Sequence, residues 1–532
     1  MQLDDVLPER LLEQVEPWTS WSRRAWEPGT VLALRELEEA VSWLDAGVLS
    51  SGSVDWYRSA LRQRIGTDPG LRSGSIKQQI DEILRVPISA GSQAHRRFGR
   101  LIDFVDRDYM SAWRDAISTA PQSIELERAS RLLSGFVIDH GHHPEWLVKE
   151  IRSLAQSTPT ALNLLEELAG MCQRKPSVFD GLVVVTHAPE LESLMQRPNW
   201  VEPARTRDFV ETNGHNLEGV NYAGALWFKV KALDPISAAR EVEAELTRLV
   251  TRTRFRRGRG VLEYLPTFYG RREKVSLNTG RKGVELLTLA KRAYAPTSAD
   301  EVEARLDDAL QLAAPLLGDP DTVAVAGGWA AIESLLITGA DASDRTIGRA
   351  AAADRAASVI TASWPRSELT RLAYRLAGRS STLPPRLASA LANPDDGGRI
   401  AGVVLDWLSS GETLRMTNAR DVAAVARIEA LLANPRPVLG RVRNYITGSL
   451  RRLYRQRNLV LHGGAVRPVA LNAALRTAAP LVAVAIDRLT FAYVQGGRVP
   501  LDAVANAEAA IRSAGDPNAW GLAELAGSHQ AR

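Results

Sequence analysis

The stretch VRNYITGSLRRLYRQRNLVLH, residues 442–462, decides the helical character predicted for the C-terminal part of the chain. At about 100° per residue, its apolar side chains form one stripe along a helix. The stripe consists of Ile446, Leu450, Leu453, Tyr454, Val460 and Leu461. Gly463 and Gly464 follow directly, and glycine is typical of a helix end. We therefore expect one long helix that ends at these glycines.

Arg457 lies in the middle of the apolar stripe. A charged guanidinium in such a place is costly unless it is paired or contacts an anion, and phosphate or a carboxylate would both serve. A second face carries Arg451, Arg455, Asn458 and His462, which are spaced 4, 3 and 4 residues apart. Side chains with this spacing can converge on one ligand.

Arg457 and His462 do not share a face of an ideal helix, because five residues turn the helix until the two side chains point about 140° apart. Three arrangements would let them meet at one phosphate. The helix could unwind, the long arginine could wrap round, or a second chain could complete the site. The sequence alone leaves these three open.

Positive charge is concentrated around this helix. The chain has no Asp or Glu between Ala430 and Ile486. Its arginines in the same stretch are Arg436, Arg441, Arg443, Arg451, Arg452, Arg455, Arg457, Arg467 and Arg476. Such a run predicts an unneutralised positive field, which would attract polyanions and speed their encounter with the protein.

Arg457, Asn458, three further residues and then His462 resemble the R-N-x-x-x-H signature of HEPN domains, which are all-helical modules with the motif near their C-terminal end. Two upstream stretches are similar to the first helices of a bacterial HEPN subgroup. They are GWAAIESLLI (328–337), with Glu333 at the position of a recurrent acid, and GRAAAADRAASVI (348–360). An Arg–His pair at this spacing is expected by chance in an arginine-rich chain. The conjunction of these features therefore carries the resemblance.

The resemblance implies a metal-independent endoribonuclease that works as a homodimer, with two motifs facing each other, and it implies no cofactor. Its catalytic residues would be Arg457, Asn458, His462 and Glu333. Histidine titrates near neutral pH and suits proton transfer during attack by an RNA 2′-hydroxyl. Arg457 would stabilise the phosphorane, and Asn458 would orient the phosphate or the imidazole. The same resemblance implies a toxin or anti-phage role, with a regulatory protein or phage component as trigger.

RNA contacts are expected from two groups of arginines. Arg451, Arg452 and Arg455 lie on the motif helix, and Arg254, Arg256 and Arg257 lie in TRTRFRRGRG, residues 251–260. Phe255 is interleaved with the second group and could stack on a base. The second stretch is equally typical of a solvated basic loop, and the sequence does not decide between these two interpretations.

The predicted fold is mainly α with a small α/β module. Residues 1–175 form a helical N-terminal region, 176–290 a small α/β module with a basic end, 296–514 a HEPN-like helical domain, and 515–532 a tail. In the module, GLVVVTH (181–187), ALWFKVKAL (225–233) and VLEYLPTFYG (261–270) are predicted strands. DPISAAREVEAELTRLV (234–250) is a predicted helix that Asp234 and Pro235 open.

Other chemistry has little support in the sequence. The single Cys172 excludes an internal disulfide framework and any multi-cysteine metal site. DHGHHPEW (139–146) lacks the usual metal-ligand order and indicates an inter-helix turn, and His187 is a lone histidine after a strand. The N-terminus is acidic, so no signal peptide is predicted. A long apolar stretch is interrupted by Arg476, Pro480, Asp487 and Arg488, so no membrane span is predicted. A cytoplasmic location is expected.

Two alternatives to the nuclease remain open. The first is a non-catalytic HEPN fold that binds a nucleic acid or acts as a scaffold. The second is an unrelated helical core in which Arg457 pairs with Glu333 and His462 caps a helix.

Overall fold

The computed structural model describes the chain except residues 1–2, 72–73, 159, 257–259, 272, 278–283, 288–299, 344–347, 379–383, 394–396, 412–413, 415, 517–524 and 526–532. Most of the described residues are helical, and one small antiparallel sheet accompanies them. The prediction of a mainly helical protein with a small strand-containing module is thus confirmed at this level.

The described helices and strands follow the chain in this order. In the N-terminal half they are α1 (Leu3–Val15), α2 (Thr30–Asp45), α3 (Ser51–Ile65), α4 (Ser75–Arg85), α5 (Gln93–Thr119), α6 (Leu126–Asp139), α7 (Pro144–Ser157), α8 (Ala161–Cys172), β1 (Ser177–His187), α9 (Leu191–Met195), β2 (Trp200–Val201), α10 (Pro203–Thr212), β3 (Gly224–Ala232), α11 (Pro235–Phe255), β4 (Glu263–Tyr264), β5 (Thr267–Gly270) and β6 (Lys274–Ser276).

The C-terminal half is helical. Its described helices are α12 (Glu301–Ala313), α13 (Asp321–Leu336), α14 (Gly339–Ser343), α15 (Ala351–Ala377), α16 (Pro385–Leu391), α17 (Gly397–Ser409), α18 (Ala419–Ala433), α19 (Pro435–Leu461), α20 (Leu471–Gly496) and α21 (Pro500–Ser513).

The chain divides into two compact units. The first comprises Met1–Asp139, Leu154–Glu167 and Arg281–Arg532, and the second comprises His140–Ser153 and Leu168–Gly280. The predicted boundaries differ from this division, because they placed residues 1–175 and 296–514 in separate regions. The two regions share one unit because their side chains pair across 300 or more residues of sequence, and no local pattern reveals such pairing.

Buried charges join the two ends of the chain inside the first unit. Arg23 contacts Glu368 at 3.2 Å and Asp421 at 3.3 Å. Arg427 contacts Glu127 at 2.8 Å and Glu368 at 2.7 Å. Burial opposes the ionisation of Glu368, yet Arg23 and Arg427 lower its pKa to about 2. Since each buried charge has an opposite partner, the N-terminal helices are integral to the C-terminal core.

The motif helix α19 packs inside this core. Ile446, Leu450 and Leu453 are fully buried, and the ring of Tyr454 lies 4.6 Å from that of Trp329 on α13. The next helix, α20, is the only helix in the described part of the chain that is long and apolar enough to cross a membrane. The protein buries 72% of its most apolar window, as expected for a core helix.

The second unit is built on a sheet with the strand order β2-β3-β1-β5-β6, in which β4 also pairs with β1. All its pairings are antiparallel, and the sequence did not predict the direction of the strands. Leu182 and Val184 face one core, and Val183 and Val185 face another that includes Val242 of α11. The sheet therefore buries both of its faces, at least along β1.

The predicted strand VLEYLPTFYG is two short strands, β4 and β5. The break lies at Pro266, which has no N–H to donate to a strand partner. Both short strands pair with β1, β4 near Val185 and β5 near Gly181.

The stretch DHGHHPEW is a turn between helices, as predicted, since α6 ends at Asp139 and α7 begins at Pro144. His142 is buried, stacks on Trp146 with ring centroids 4.8 Å apart, and lies 3.7 Å from Asp234. Asp234 also caps α11 by accepting from the Ser237 N–H. These contacts give the histidine a structural role in the second unit.

Candidate active site at the end of helix α19

Helix α19 ends as the glycines predict. Leu461 is its last residue, and the His462 N–H donates to the Asn458 carbonyl at 2.9 Å. The Gly463 N–H and the Ala465 N–H both donate to the Leu459 carbonyl, at 3.1 and 3.0 Å. Gly464 has a φ of 65°, a conformation that glycine adopts without strain. The chain thus turns away directly after His462 and leaves the imidazole exposed.

Arg457 reaches both polar neighbours of the motif. Its Nη1 lies 2.8 Å from His462 Nε2 and donates to Asn458 Oδ1 at 3.0 Å. The helix does not unwind before His462, so the long arginine side chain wraps round to make the contact. Of the three arrangements that the sequence left open, this one brings the residues together within a single chain.

The contact between Arg457 and His462 assigns a hydrogen-bonding role to one imidazole nitrogen. A guanidinium can donate hydrogen bonds but cannot accept them, so Nε2 must be the acceptor. In this geometry His462 is equipped to take up a proton at Nε2 once the guanidinium turns to another anion.

Glu333 does not join this cluster. It lies half-buried in the last turn of α13, where its carbonyl accepts from the Ile337 N–H. Arg457 and His462 contact each other and not Glu333. The alternative in which Arg457 pairs with Glu333 is therefore not what the structure has, although His462 does occupy the C-cap position of α19.

The predicted unneutralised field is corrected by the structure. Six of the nine arginines between Ala430 and Ile486 form ion pairs with acids from distant parts of the chain. These six are Arg436, Arg443, Arg451, Arg452, Arg455 and Arg476. The acid-free run in the sequence is neutralised in space, and Arg457 is among the three arginines of the run without an acidic partner in the described structure.

Arg452 and Arg455, which we expected to bind RNA, are buried and pair with Glu36 of α2. Arg452 Nε lies 2.7 Å from Glu36 Oε2, and Arg455 Nη2 lies 2.9 Å from Glu36 Oε1. Burial opposes ionisation of Glu36, yet the two guanidinium groups lower its pKa to about 2. A ligand cannot reach either arginine in this structure, so their role is structural.

Arg451 is half-buried and is held by contacts within the protein. Its Nε and Nη2 donate to Asp354 of α15 at 3.1 and 2.5 Å, and its guanidinium lies 4.4 Å from the ring centroid of Trp56. A two-pronged contact of this kind fixes the guanidinium plane. The predicted RNA contact of Arg451 would require this pair to open.

The basic residues at the end of α11 are exposed to solvent. Arg254 is exposed, and Phe255 beside it is 89% exposed. Arg256 is exposed and pairs with Glu190 at 2.5 Å. Arg257, which we expected to bind RNA, lies outside the described residues. This surface therefore keeps one arginine and one aromatic ring available for a ligand.

Sequence reasoning missed the residues that support the motif from α2, namely Glu36, Glu39 and Trp43. Their spacing shows only that they share a helix face. No local pattern in α2 or in the motif region indicates that this face of α2 contacts residues more than 400 positions later in the chain. No group of three or more His, Cys, Asp or Glu side chains is placed to hold a metal ion in the described ranges.

No protein-family model matches the chain, and comparison with curated proteins and with solved structures finds no significant similarity. The resemblance to HEPN domains thus remains a prediction from the motif.

Proposed function

We propose that the protein is a metal-independent endoribonuclease whose active site contains Arg457, Asn458 and His462. The observation that carries the proposal is the 2.8 Å contact between Arg457 Nη1 and His462 Nε2 at an exposed helix end. It supports the proposal because it brings a cation and a possible proton acceptor together, so that both could act on one phosphate. Cleavage of RNA by its own 2′-hydroxyl needs these two groups.

The reaction would proceed in one displacement. His462 Nε2 takes the proton of the 2′-hydroxyl, and the 2′-oxygen forms a bond to phosphorus. Arg457 turns from the imidazole to the phosphate and stabilises the charge of the phosphorane. The bond from phosphorus to the 5′-oxygen then breaks, and that oxygen receives a proton. The products are a 2′,3′-cyclic phosphate and a 5′-hydroxyl.

A homodimer would supply the proton donor. One imidazole cannot be both the base and the acid in the same displacement, so the His462 of a second copy, starting in its protonated imidazolium form, would give its proton to the leaving 5′-oxygen. Apolar side chains beside the motif support such pairing, because Leu461, Val466 and Val469 are all exposed. Exposed apolar groups clustered at one place are typical of interaction surfaces.

A toxin or defence role in the cytoplasm would suit an enzyme of this kind. Cleavage of cellular RNA stops growth, and a regulatory protein or a phage component would then control the activity. The proposal includes Arg254 and Phe255 as RNA contacts outside the active site, because an exposed ring and guanidinium can stack on unpaired bases.

The test is cleavage of mixed RNA by the purified full chain in the presence of EDTA, with analysis of the new ends. The wild type should leave 2′,3′-cyclic phosphates, and His462→Ala should be slower by about 10²-fold or more. His187→Ala is the matched control, since His187 is also exposed but lies in the second unit. Equal cleavage by the wild type and His462→Ala would overturn the assignment. RNA binding without cleavage would favour the non-catalytic alternative.

A further inference from the structure

One face of α2 contacts the motif helix and the turn after it. Glu36, Glu39 and Trp43 are spaced three and four residues apart, so they project from the same side of the helix. Glu36 binds Arg452 and Arg455, which lie about three and two helical turns before His462. The Glu39 carboxylate accepts from the Val469 N–H at 3.1 Å.

Trp43 completes this contact at the glycine turn. A Cβ atom on Gly463 would lie 2.8 Å from the Trp43 ring, so the ring packs directly on the backbone after His462. The face of α2 thus touches α19 before the motif and the chain after it. We call Glu36, Glu39 and Trp43 the α2 clamp.

Within the clamp, Glu36 is the residue that pairs with buried positive charges. It is a single buried carboxylate between two buried guanidinium groups. The Tyr57 hydroxyl donates to it at 2.6 Å, and the Arg455 guanidinium lies 4.0 Å from the Tyr57 ring centroid. Without the carboxylate, Arg452 and Arg455 would be two buried like charges, and the last turns of α19 would have to rearrange to expose them.

We propose that Glu36 is a positioning residue for the candidate active site. It acts through Arg452 and Arg455, which hold the last turns of α19 in the position from which Arg457 reaches His462. Glu39 and Trp43 hold the far side of the same turn. The catalytic consequence rests on the proposed function, whereas the positioning itself does not.

Glu368 provides a matched control for Glu36. It is fully buried, accepts hydrogen bonds from Arg23 and Arg427, and has a pKa lowered to about 2 by the same two causes. It lies on α15 and contacts neither Arg457 nor His462. Glu368→Gln therefore removes a buried carboxylate between two arginines, as Glu36→Gln does, without touching the clamp.

The test uses the full chain labelled with ¹³C at the histidine rings, with the His462 signal identified by its loss in His462→Ala. Glu36→Gln should shift the His462 ring signal and should speed amide exchange over residues 456–465 by about tenfold. Glu368→Gln should leave both at their wild-type values. Glu39→Ala, which removes a half-buried group and no ion pair, should shift the signal in the same direction if Glu36→Gln does not fold.

A wild-type His462 signal in both clamp variants would overturn the positioning role, and so would an equal shift in Glu368→Gln. These readouts need no RNA. If the wild type does not cleave RNA, the proposed function is wrong. The positioning role of Glu36 is still tested by the His462 ring signal alone. If it does cleave, Glu36→Gln should lower kcat by about tenfold more than Glu368→Gln does.

Discussion

At the scale of single residues, the candidate site depends on how closely the backbone after His462 is packed. A methyl group on Gly463 would lie 2.7 Å from the Leu459 carbonyl and 2.8 Å from the Trp43 ring. Neither the helix carbonyl nor the buried side of the ring can yield without moving the turn. Gly463 is thus fixed by close approach, whereas Gly464 is fixed by its positive φ.

Gly463→Ala is therefore expected to displace His462 from Arg457 and to lower RNA cleavage by about 10²-fold. Gly440→Ala is the control, because Gly440 lies in the same helix with nothing near its missing Cβ. That control should raise stability by about 0.5–1 kcal/mol and leave cleavage unchanged. Cleavage rates and urea unfolding of the two variants check this. Wild-type cleavage by Gly463→Ala would contradict the role of the turn.

The sequence predicted the residues of the motif but not their contacts. Arg457, Asn458, His462 and the two glycines were recognisable from spacing, and the structure brings Arg457 to both polar neighbours. The ideal helical wheel could not show this, since it treats a side chain as a direction and ignores the reach of arginine. The ion pairs of Arg452 and Arg455 were missed because their partner, Glu36, is remote in sequence.

At the scale of elements, α2 and α19 are joined by a carboxylate whose pKa lies below its ordinary value of 4.5. A lowered pKa means that the ion pair stabilises the folded state above about pH 4.5. The stabilisation is lost as the pH falls towards the folded-state pKa of about 2. A shift of this size corresponds to about 3 kcal/mol.

We therefore expect the wild type to have a higher free energy of unfolding than Glu36→Gln at pH 6. This difference between the two proteins should be smaller at pH 3. The difference between the two proteins should narrow by about 2 kcal/mol, because below about pH 4.5 the carboxyl is protonated in the unfolded chain while Glu36 stays ionised in the folded state. Urea unfolding followed by tryptophan fluorescence at the two pH values measures it. A difference that does not change with pH would show that Glu36 is not held ionised by its arginines.

Element boundaries were predictable where caps and glycines mark them. Pro144 and Asp234 open α7 and α11, and the glycines after Leu461 close α19. The strand 261–270 was predicted as one element because its apolar residues are continuous, and Pro266 divides it. The antiparallel order of the sheet depends on long-range pairing and could not be inferred from the separate strands.

At the scale of the whole molecule, the N-terminal helices complete the C-terminal core of the first unit. Glu16, Glu36 and Glu127 supply carboxylates to arginines on α18 and α19. Removing one partner of a buried ion pair leaves an uncompensated charge and costs about 3–5 kcal/mol. This dependence could not be predicted from the sequence, because composition and helical pattern change along the chain at residues 176 and 290 and so indicate separate regions.

A fragment of residues 296–532 is accordingly expected to lack a cooperative unfolding transition, although it contains the whole motif. Circular dichroism during urea titration, compared with the full chain, tests this. A fragment that unfolds cooperatively with the stability of the full chain would show that the N-terminal helices are dispensable to the core.

In the proposed reaction, His462 promotes attack by the RNA 2′-hydroxyl. The most direct measurement is cleavage, in EDTA, of one RNA sequence made either with ordinary ribose or with 2′-O-methyl ribose throughout. We expect the wild type to cut only the ordinary RNA and His462→Ala to cut neither strand at a comparable rate. Cleavage of the 2′-O-methyl strand, equal cleavage by the two proteins, or intact ordinary RNA with the wild type would contradict it.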